Sequence, residues 1–384
     1  MSEIKKLIER LCPDGVEYKK LGEVAKRLRG TPITATTMKK IASDEGEIKV
    51  FAGGKTVINA HLKDIPNANI ITVPSVLCQS RGVIDFVYYD KPFTFKNEMW
   101  AYTLDNTISV KYVYYVLKHN VMYFRDKATA MGAFPQISIP DTEKFEIPVP
   151  PIEVQSKIVE YLDNFTELEA ELEAELEARR KQYEYYRSQL LTFDKDKGAR
   201  FDVKWMKMKD VCTLQRGKVY SKKYISENEG LYPVYSSQTA NNGILGKINS
   251  YDYDGTYLTW TTDGAYAGTI FFREGKFSIT NVCGLISIAK DFLNMRFLYY
   301  WLSLTAKKYV YQGMGNPKLM SNQVEMIDIP IIPICEQIRI ANILDRFEAL
   351  TTDLQSGLPA EIEARRKQYE YYREQLLTFK RKTA

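Results

Sequence analysis

Two short runs carry residue types that can do chemistry. Pro13-Asp14, followed by Glu17 and Lys19, has the composition of a nuclease P-D…E-x-K pattern. Its two carboxylates lie only three residues apart in a turn-like Pro-Asp-Gly, whereas a metal pair needs carboxylates delivered from adjacent strands. Gly315-Asn316-Pro317-Lys318 has part of the N-P-P-aromatic motif of adenine methyltransferases. It lacks the second proline and the aromatic ring that stacks on a flipped base. No G-x-x-x-x-G-K-[ST] phosphate loop occurs. The five cysteines (12, 78, 212, 283 and 335) form no C-x-x-C pair, and the two histidines are His61 and His119. A zinc site is not expected, and all five cysteines read as small buried hydrophobes in a reducing compartment. The expectation is a chain that neither hydrolyses ATP nor transfers methyl groups by itself, with no metal and no cofactor.

A second group of residues suits recognition. Glycine-rich turns carry Arg29-Gly30-Thr31, Gly53-Gly54-Lys55 and Gln79-Ser80-Arg81-Gly82 in the first part of the chain, where Lys39 and Lys40 add charge. The later part offers Arg216-Gly217-Lys218, Ser221-Lys222-Lys223, Ser236-Ser237-Gln238 and Asn316-Pro317-Lys318. Arginine and lysine bind guanine edges or phosphates, and glutamine or asparagine binds adenine. The candidate DNA contacts are therefore Arg29, Lys39, Lys40, Lys55, Gln79, Arg81, Arg216, Lys218, Lys222, Lys223, Ser237, Gln238 and Lys318. The competing explanation is that surface turns are polar for solvation alone.

Charge distribution separates these groups into blocks. Residues 1–151 carry a net +4, residues 152–198 a net −5, residues 199–335 a net +5 and residues 336–384 a net +1, within a total of +5. Two modestly basic blocks flanking an acidic segment suit an anionic partner. With 384 residues, 45% hydrophobic and 26% charged, the chain has room for two ordinary globular domains. No apolar run reaches the roughly 18 residues of a membrane span, and the N-terminus lacks the apolar core of a signal peptide, so a cytoplasmic location is expected.

The elements that must hold these blocks are duplicated. Glu177-Ala178-Arg179-Arg180-Lys181-Gln182-Tyr183-Glu184-Tyr185-Tyr186-Arg187 recurs unchanged as Glu363 to Arg373, and the match extends to 16 identities in 17 positions ending at Phe193 and Phe379. Gln155, Ile158, Leu162, Asp163, Phe165 and Leu168 match Gln337, Ile340, Leu344, Asp345, Phe347 and Leu350, and Arg29-Gly30 matches Arg216-Gly217. The order is globular block, helix, globular block, helix. The helices resemble each other more than the blocks do, as expected if the helices keep fixed partners while each block reads a different target.

After Pro150-Pro151, apolar residues at Ile158, Leu162, Phe165, Leu168 or its neighbour, Leu172, Leu176, Tyr183, Tyr186 and Leu190 make a seam with steps of three and four. Within it runs Leu168-Glu169-Ala170-Glu171, Leu172-Glu173-Ala174-Glu175, Leu176-Glu177-Ala178-Arg179. A helix over 153–192 spans roughly 60 Å and needs a partner. The second repeat helix over 336–380 is the expected one, antiparallel, with a break at Gly357-Leu358-Pro359. The blocks read as mixed β. Strand-like runs are 69–73 and 83–89 in the first and 255–260, 268–272 and 277–280 in the second, with one helix each, Val110–Asn120 and Met295–Lys308.

The duplicated E-A-R-R-K-Q-Y-E-Y-Y-R ends, the Leu-Glu-Ala-Glu run and the opening Cys12-Pro13-Asp14-Gly15-Val16-Glu17-Tyr18 resemble the specificity subunit of a type I restriction-modification enzyme, over essentially the whole chain. The resemblance implies an α+β chain with an internal pseudo-two-fold repeat. It has two β-rich target recognition domains, 1–151 and 199–335, and two long helices, 152–198 and 336–384, packed as an antiparallel coiled coil. It further implies a non-catalytic subunit that binds double-stranded DNA at a split, asymmetric site. Its partners would be two modification subunits, which methylate adenine, and through them two restriction subunits. Arg179, Arg180, Lys181, Arg365, Arg366 and Lys367 are the candidate partner contacts. Two alternatives need features the sequence does not supply or does not specify: a self-contained enzyme needs a cofactor loop, and an interaction scaffold would bind proteins or sugars instead of DNA.

Overall fold

The computed structural model describes residues 2–54, 56–131, 134–193, 203–312, 315–352 and 357–382. The chain divides into two compact units: Met1–Glu173 with Glu361–Ala384, and Ala174–Ala360. Among the described residues, the α-helices of six residues or more are α1 Ser2–Leu11, α2 Ala35–Ile41, α3 Val110–His119, α4 Val121–Lys127, α5 Ile152–Leu190, α6 Lys222–Glu227, α7 Met295–Thr305, α8 Ile334–Thr352 and α9 Leu358–Leu377.

In the first unit a four-stranded antiparallel sheet has the order Ala25–Leu28, Trp100–Leu104, Ser75–Gln79, Asp85–Tyr89. A three-stranded sheet follows, in the order Val57–Ala60, Ile48–Phe51, Phe93–Phe95. The second unit has one six-stranded sheet, ordered Cys212–Arg216, Cys283–Ile288, Tyr253–Thr261, Ile270–Ile279, Glu229–Tyr235, Ile244–Ile248. These are the same strands in the same order. The first unit breaks its sheet where Asp90-Lys91-Pro92 separates Tyr89 from Phe93, because proline cannot donate to the ladder. The second unit continues through Gly275 (φ 83°), which faces Gly255 (φ 140°) across the ladder.

The expected separate runs 268–272 and 277–280 are therefore one strand, Ile270–Ile279, since glycine carries the chain through a conformation that otherwise ends a strand. The 69–73 run is not a strand. Only Ile71 pairs, with Phe93, ahead of Pro74, and the buried strand is the next run, Ser75–Gln79. One helix per block is also an undercount. α1, α2 and α4 are additional, and α7 ends at Thr305 in a 3-10 turn, Ala306–Tyr309.

Each unit buries one face of its helices against its sheet. The first core gathers Leu21, Val76, Phe86, Trp100, Tyr102, Tyr112, Val116, Phe124, Ile158, Leu162, Leu376 and Leu377. The second gathers Leu191, Phe193, Met208, Leu258, Trp260, Ile286, Phe297, Leu298, Ile340 and Leu344. Ile158 and Leu162 of α5 enter the first core, and Tyr183 and Leu190 of α5 pack against the second.

The long helices pair within each unit and run antiparallel. In the first, Tyr161 meets Tyr372 (5.8 Å between ring centroids), Phe165 meets Tyr369 (6.2 Å), and Arg366 reaches Glu169 and Glu173 (2.5 Å each). In the second, Tyr183 and Tyr186 meet Phe347 at 6.4 and 5.4 Å. The break expected at Gly357-Leu358-Pro359 is present: α8 ends at Thr352 and α9 begins at Leu358, with Pro359 tolerated in the first turn.

Repeat-related polar residues fasten the helices to the globular parts. Gln155 accepts from the Ser109 backbone N–H (2.8 Å) at the start of α3 and donates to the Pro150 carbonyl (2.8 Å). Gln337 accepts from the Asn294 N–H (2.8 Å) at the start of α7 and donates to the Phe292 and Ile332 carbonyls (2.8 Å each). Asp163 holds Lys111 (2.7 Å) and Tyr115 (2.5 Å), and Asp345 holds Arg296 (2.6 Å) and Tyr300 (2.5 Å).

Candidate functional site

The Arg-Gly echo has a steric cause. A Cβ on Gly30 would lie 1.9 Å from the Phe95 carbonyl oxygen, and one on Gly217 would lie 2.1 Å from that of Ile279. Only glycine lets the turn pass so close to the neighbouring strand. The next residue then bridges that strand, Thr31 with Lys96 and Lys218 with Thr280.

A second frame is equally duplicated. Gly82 donates to the Pro135 carbonyl (2.9 Å) and Ile137 to that of Ser80 (3.0 Å); Gly264 donates to that of Pro317 (3.1 Å) and Leu319 to that of Thr262 (2.9 Å). Each frame sets a turn beside a short two-stranded segment, pairing Thr129 with Gln136 in one unit and Tyr311 with Lys318 in the other. The backbone is common to both units, but the side chains are not. Arg81 faces Gln136 where Asp263 faces Lys318. Exposed aromatic residues flank the frames: Phe134 in the first unit, Tyr266 and Tyr311 in the second.

In the first unit, Arg29 and Arg81 are exposed on the two frames, and Lys39 and Lys40 are exposed at the end of α2. Lys39 lines a cleft of about 460 Å³ with Gly53, Lys96 and Glu98. Glu98 binds Lys96 (2.9 Å) and accepts from the Gly53 N–H (3.4 Å), which draws these loops together. Gln79 does not share this exposure. It is buried, 6% exposed, as is every residue of Ser75–Gln79, an interior strand covered on both faces. Lys55 lies outside the described residues.

In the second unit, several candidates already have partners. Arg216 donates to the Asn281 carbonyl (2.5 Å) and to Thr262 (3.3 Å). Lys218 bonds Asp252 (2.6 Å), which raises the lysine pKa and lowers that of the half-buried carboxyl, against the opposing effect of its burial. Ser237 donates to the Val282 carbonyl and Gln238 to that of Ile244. Lys318 lies 3.9 Å from Asp263, and Lys223 lies 3.8 Å from Glu227. Lys222, in the first turn of α6, is exposed. The sequence reading overlooked Phe134, Gln136, Asp263, Tyr266 and Tyr311. The usable signal was aromatic residues in short polar runs, where no buried face requires them.

Among the helix charges, Arg179, Arg180, Lys181 and Lys367 are exposed, and Arg365 is half-exposed. Arg179 and Arg365 each bond the glutamine three residues on, Gln182 (3.1 Å) and Gln368 (3.2 Å). Arg366 differs from its counterpart Arg180 in being tied across to α5. Beside Arg179, an open groove of about 770 Å³ runs between Tyr186, Leu190, Phe193, Ile343 and Phe347.

Among the described residues, no cluster of His, Cys, Asp and Glu could hold a metal ion, and no helix is long and apolar enough to cross a membrane. All five cysteines are free thiols, but the expectation that all are buried holds only for Cys78, Cys212 and Cys283: Cys12 is partly buried and Cys335, in the first turn of α8, is exposed.

The architecture is two sheet-bearing units that share a common backbone, display different polar edges and draw on antiparallel helices. The solved S subunit of the type I restriction-modification system of M. genitalium shares this fold. Its TM-score is 0.62 at 17% identity, covering 94% of this chain and 95% of that one. A chain from a structure described as the basis of complex assembly and conformational transition of the type I R-M system superposes with a TM-score of 0.58 at 16% identity, covering 95% and 98%.

The family model for the type I restriction modification DNA specificity domain matches twice, over residues 13–178 and 202–364, and the chain belongs to that family. Its relatives in Mycoplasma pneumoniae include the putative type I specificity subunit S.MpnORF615P, 42% identical over 232 residues, which are 60% of this chain and 91% of the relative. Another is S.MpnORF201P, 41% identical over 242 residues, 62% and 98%. The specificity subunit of the type I restriction enzyme MpnII is 35% identical over 297 residues, 62% and 90%.

Proposed function

We propose that this type I specificity subunit reads a bipartite, asymmetric DNA site and performs no catalysis itself. The first target recognition domain, 1–151, reads one half and the second, 199–335, reads the other. The helical segments 152–198 and 336–384 form the spacer and the docking surface for two modification subunits. Those in turn recruit two restriction subunits in the cytoplasm.

The observation that carries this reading is the duplicated backbone frame with unlike residues on it. Arg81 beside Gln136 offers donors suited to guanine or phosphate. Asp263 beside Lys318 presents an acceptor that suits a cytosine amino group together with a cation. Two copies of one scaffold with different hydrogen-bonding edges suit two different half-sites. The groove beside Arg179 and the exposed Arg180, Lys181, Arg365 and Lys367 give the helices a surface for protein partners; Arg366 would act there by fixing α9 against α5.

The test is methylome sequencing of a strain expressing this chain with a modification subunit. The expected result is methylated adenines in a split motif, one half of which changes when residues 30–140 are exchanged for those of a relative. A motif that ignores the exchange overturns the assignment. A salt titration of duplex binding adds a second criterion, since each neutralised phosphate contributes about −0.9 to the log–log slope.

A further inference from the structure

Arg273 is 2% exposed in the second unit, yet among the described residues no carboxylate pairs with it. Its guanidinium lies over the rings of Tyr235 (3.6 Å to the centroid) and Phe271 (4.3 Å). Nε donates to the Thr259 hydroxyl (3.2 Å), Nη2 donates to the Asn242 carbonyl (2.9 Å), and Nη1 has no partner. An unpaired buried cation is costly to keep, so its one long-range bond to a loop carbonyl needs a reason.

That carbonyl belongs to an unusual turn. Asn241 (φ 49°), Asn242 (φ 50°) and Gly243 (φ 78°) are three consecutive left-handed residues. Such a conformation persists only where the surroundings enforce it. A Cβ on Gly243 would meet Arg273 Nη2 at 3.0 Å and the Gln238 carbonyl at 3.2 Å. The turn is closed by Ser236 N–H donating to the Gly243 carbonyl (3.0 Å) and by the Gln238 amide donating to Ile244. The outcome is a fixed backbone from which two adjacent amide side chains, Asn241 and Asn242, project into solvent.

We propose that the Thr239–Gly243 turn is an adenine-reading element of the second recognition domain, and that Arg273 is its positioning residue. This rests on the DNA-reading role proposed above. An asparagine amide matches the acceptor and donor that adenine presents in the major groove, but only when its backbone is held in place. Arg273 supplies that hold from inside the sheet, through a planar group whose Nε and Nη2 bond two different elements at once. Lysine cannot reproduce this.

The experiment uses the full chain assembled with its modification subunits, and reads both the methylated motif and competition binding on duplexes randomised over each half-site. Asn241→Ala with Asn242→Ala is expected to relax an adenine position in one half-site, with discrimination there falling roughly tenfold to a hundredfold, while the other half-site is unchanged. Arg273→Lys is expected to relax the same position. An Asn variant whose motif is unchanged at every position overturns the proposal, and so does an Arg273→Lys protein that loses thermal stability but keeps its motif. If Arg273→Lys does not fold, the exposed Asn pair decides alone: with no adenine to read, Arg273 has nothing to position. Wild-type protein that methylates no split motif would instead refute the DNA-reading role.

Discussion

Gln337 allows the coupling between helix and recognition domain to be measured. Gln337→Met keeps the volume of the side chain and removes its hydrogen bonds. In this fully buried position the change strands three backbone groups, the N–H of Asn294 and the carbonyls of Phe292 and Ile332. Each buried group left unpaired costs about 1–3 kcal/mol. Phe292 lies near solvent and its carbonyl can recover a water, so the expected loss is about 3 kcal/mol. Gln155→Met strands only the Ser109 N–H and the Pro150 carbonyl, and about 2 kcal/mol is expected in the first unit.

Because a two-unit chain need not unfold in one step, the readout is hydrogen exchange followed by mass spectrometry. Faster exchange should be confined to the start of α7 in one variant and of α3 in the other. The accompanying fall in melting temperature of the affected unit is about 6–12 °C for Gln337→Met. A loss below about 1 kcal/mol, or faster exchange that fails to segregate by unit, would refute the view that these glutamines join helix to sheet.

Gly217→Ala forces its Cβ against the Ile279 carbonyl and should cost more than about 3 kcal/mol, seen as lost protection at Lys218 and Thr280. Lys222→Ala with Lys223→Ala should weaken binding to all duplexes alike and flatten the log–log salt slope by about 1.8, as for two phosphate contacts; loss of discrimination at a single base would contradict this. In thiol labelling, exposed Cys335 should react first. Burial pushes the Cys212 and Cys283 thiols up to about 12 and raises Cys78 as well, so those three should react only on unfolding.

Burial lowers the pKa of His119 against the pull of Glu374, so the folded chain prefers the neutral ring. Its contribution to stability is full above the unfolded value of 6.5 and declines as pH falls through it. His119→Asn should flatten that acid-side decline in a pH series of denaturation curves.

The helices were legible because their pattern is local. Ile158, Leu162, Phe165, Leu168 and Leu172 recur at steps of three and four in an unbroken stretch, and Gly357-Leu358-Pro359 marks the break. The recognition sheets were less so. Whether Gly275 ends a strand or lies within one depends on Gly255 across the ladder, and no local pattern contains that partner. The Arg29-Gly30 and Arg216-Gly217 echo was visible, but its cause, a carbonyl about two ångströms from where a Cβ would stand, belongs to a strand some 65 residues distant. Gln79 has a residue type that suits base reading, but it ends an interior strand buried on both faces, and the elements that cover those faces lie far away in sequence. Asn241, Asn242 and Arg273 escaped notice because 30 residues separate the turn from the side chain that holds it.

The first unit contains residues from both ends of the chain. Val16 pairs with Arg381, the Tyr18 hydroxyl donates to the Phe379 carbonyl, and Leu376 and Leu377 lie in the core with Leu21. During synthesis, residues 1–173 therefore wait for residues 361–384, which are translated later. Residues 174–360 can complete their core while the opening 173 residues still lack a helix. A ribosome that stalls before α9 would release a finished second unit attached to an unfinished first one, with its apolar seam uncovered and open to proteolysis.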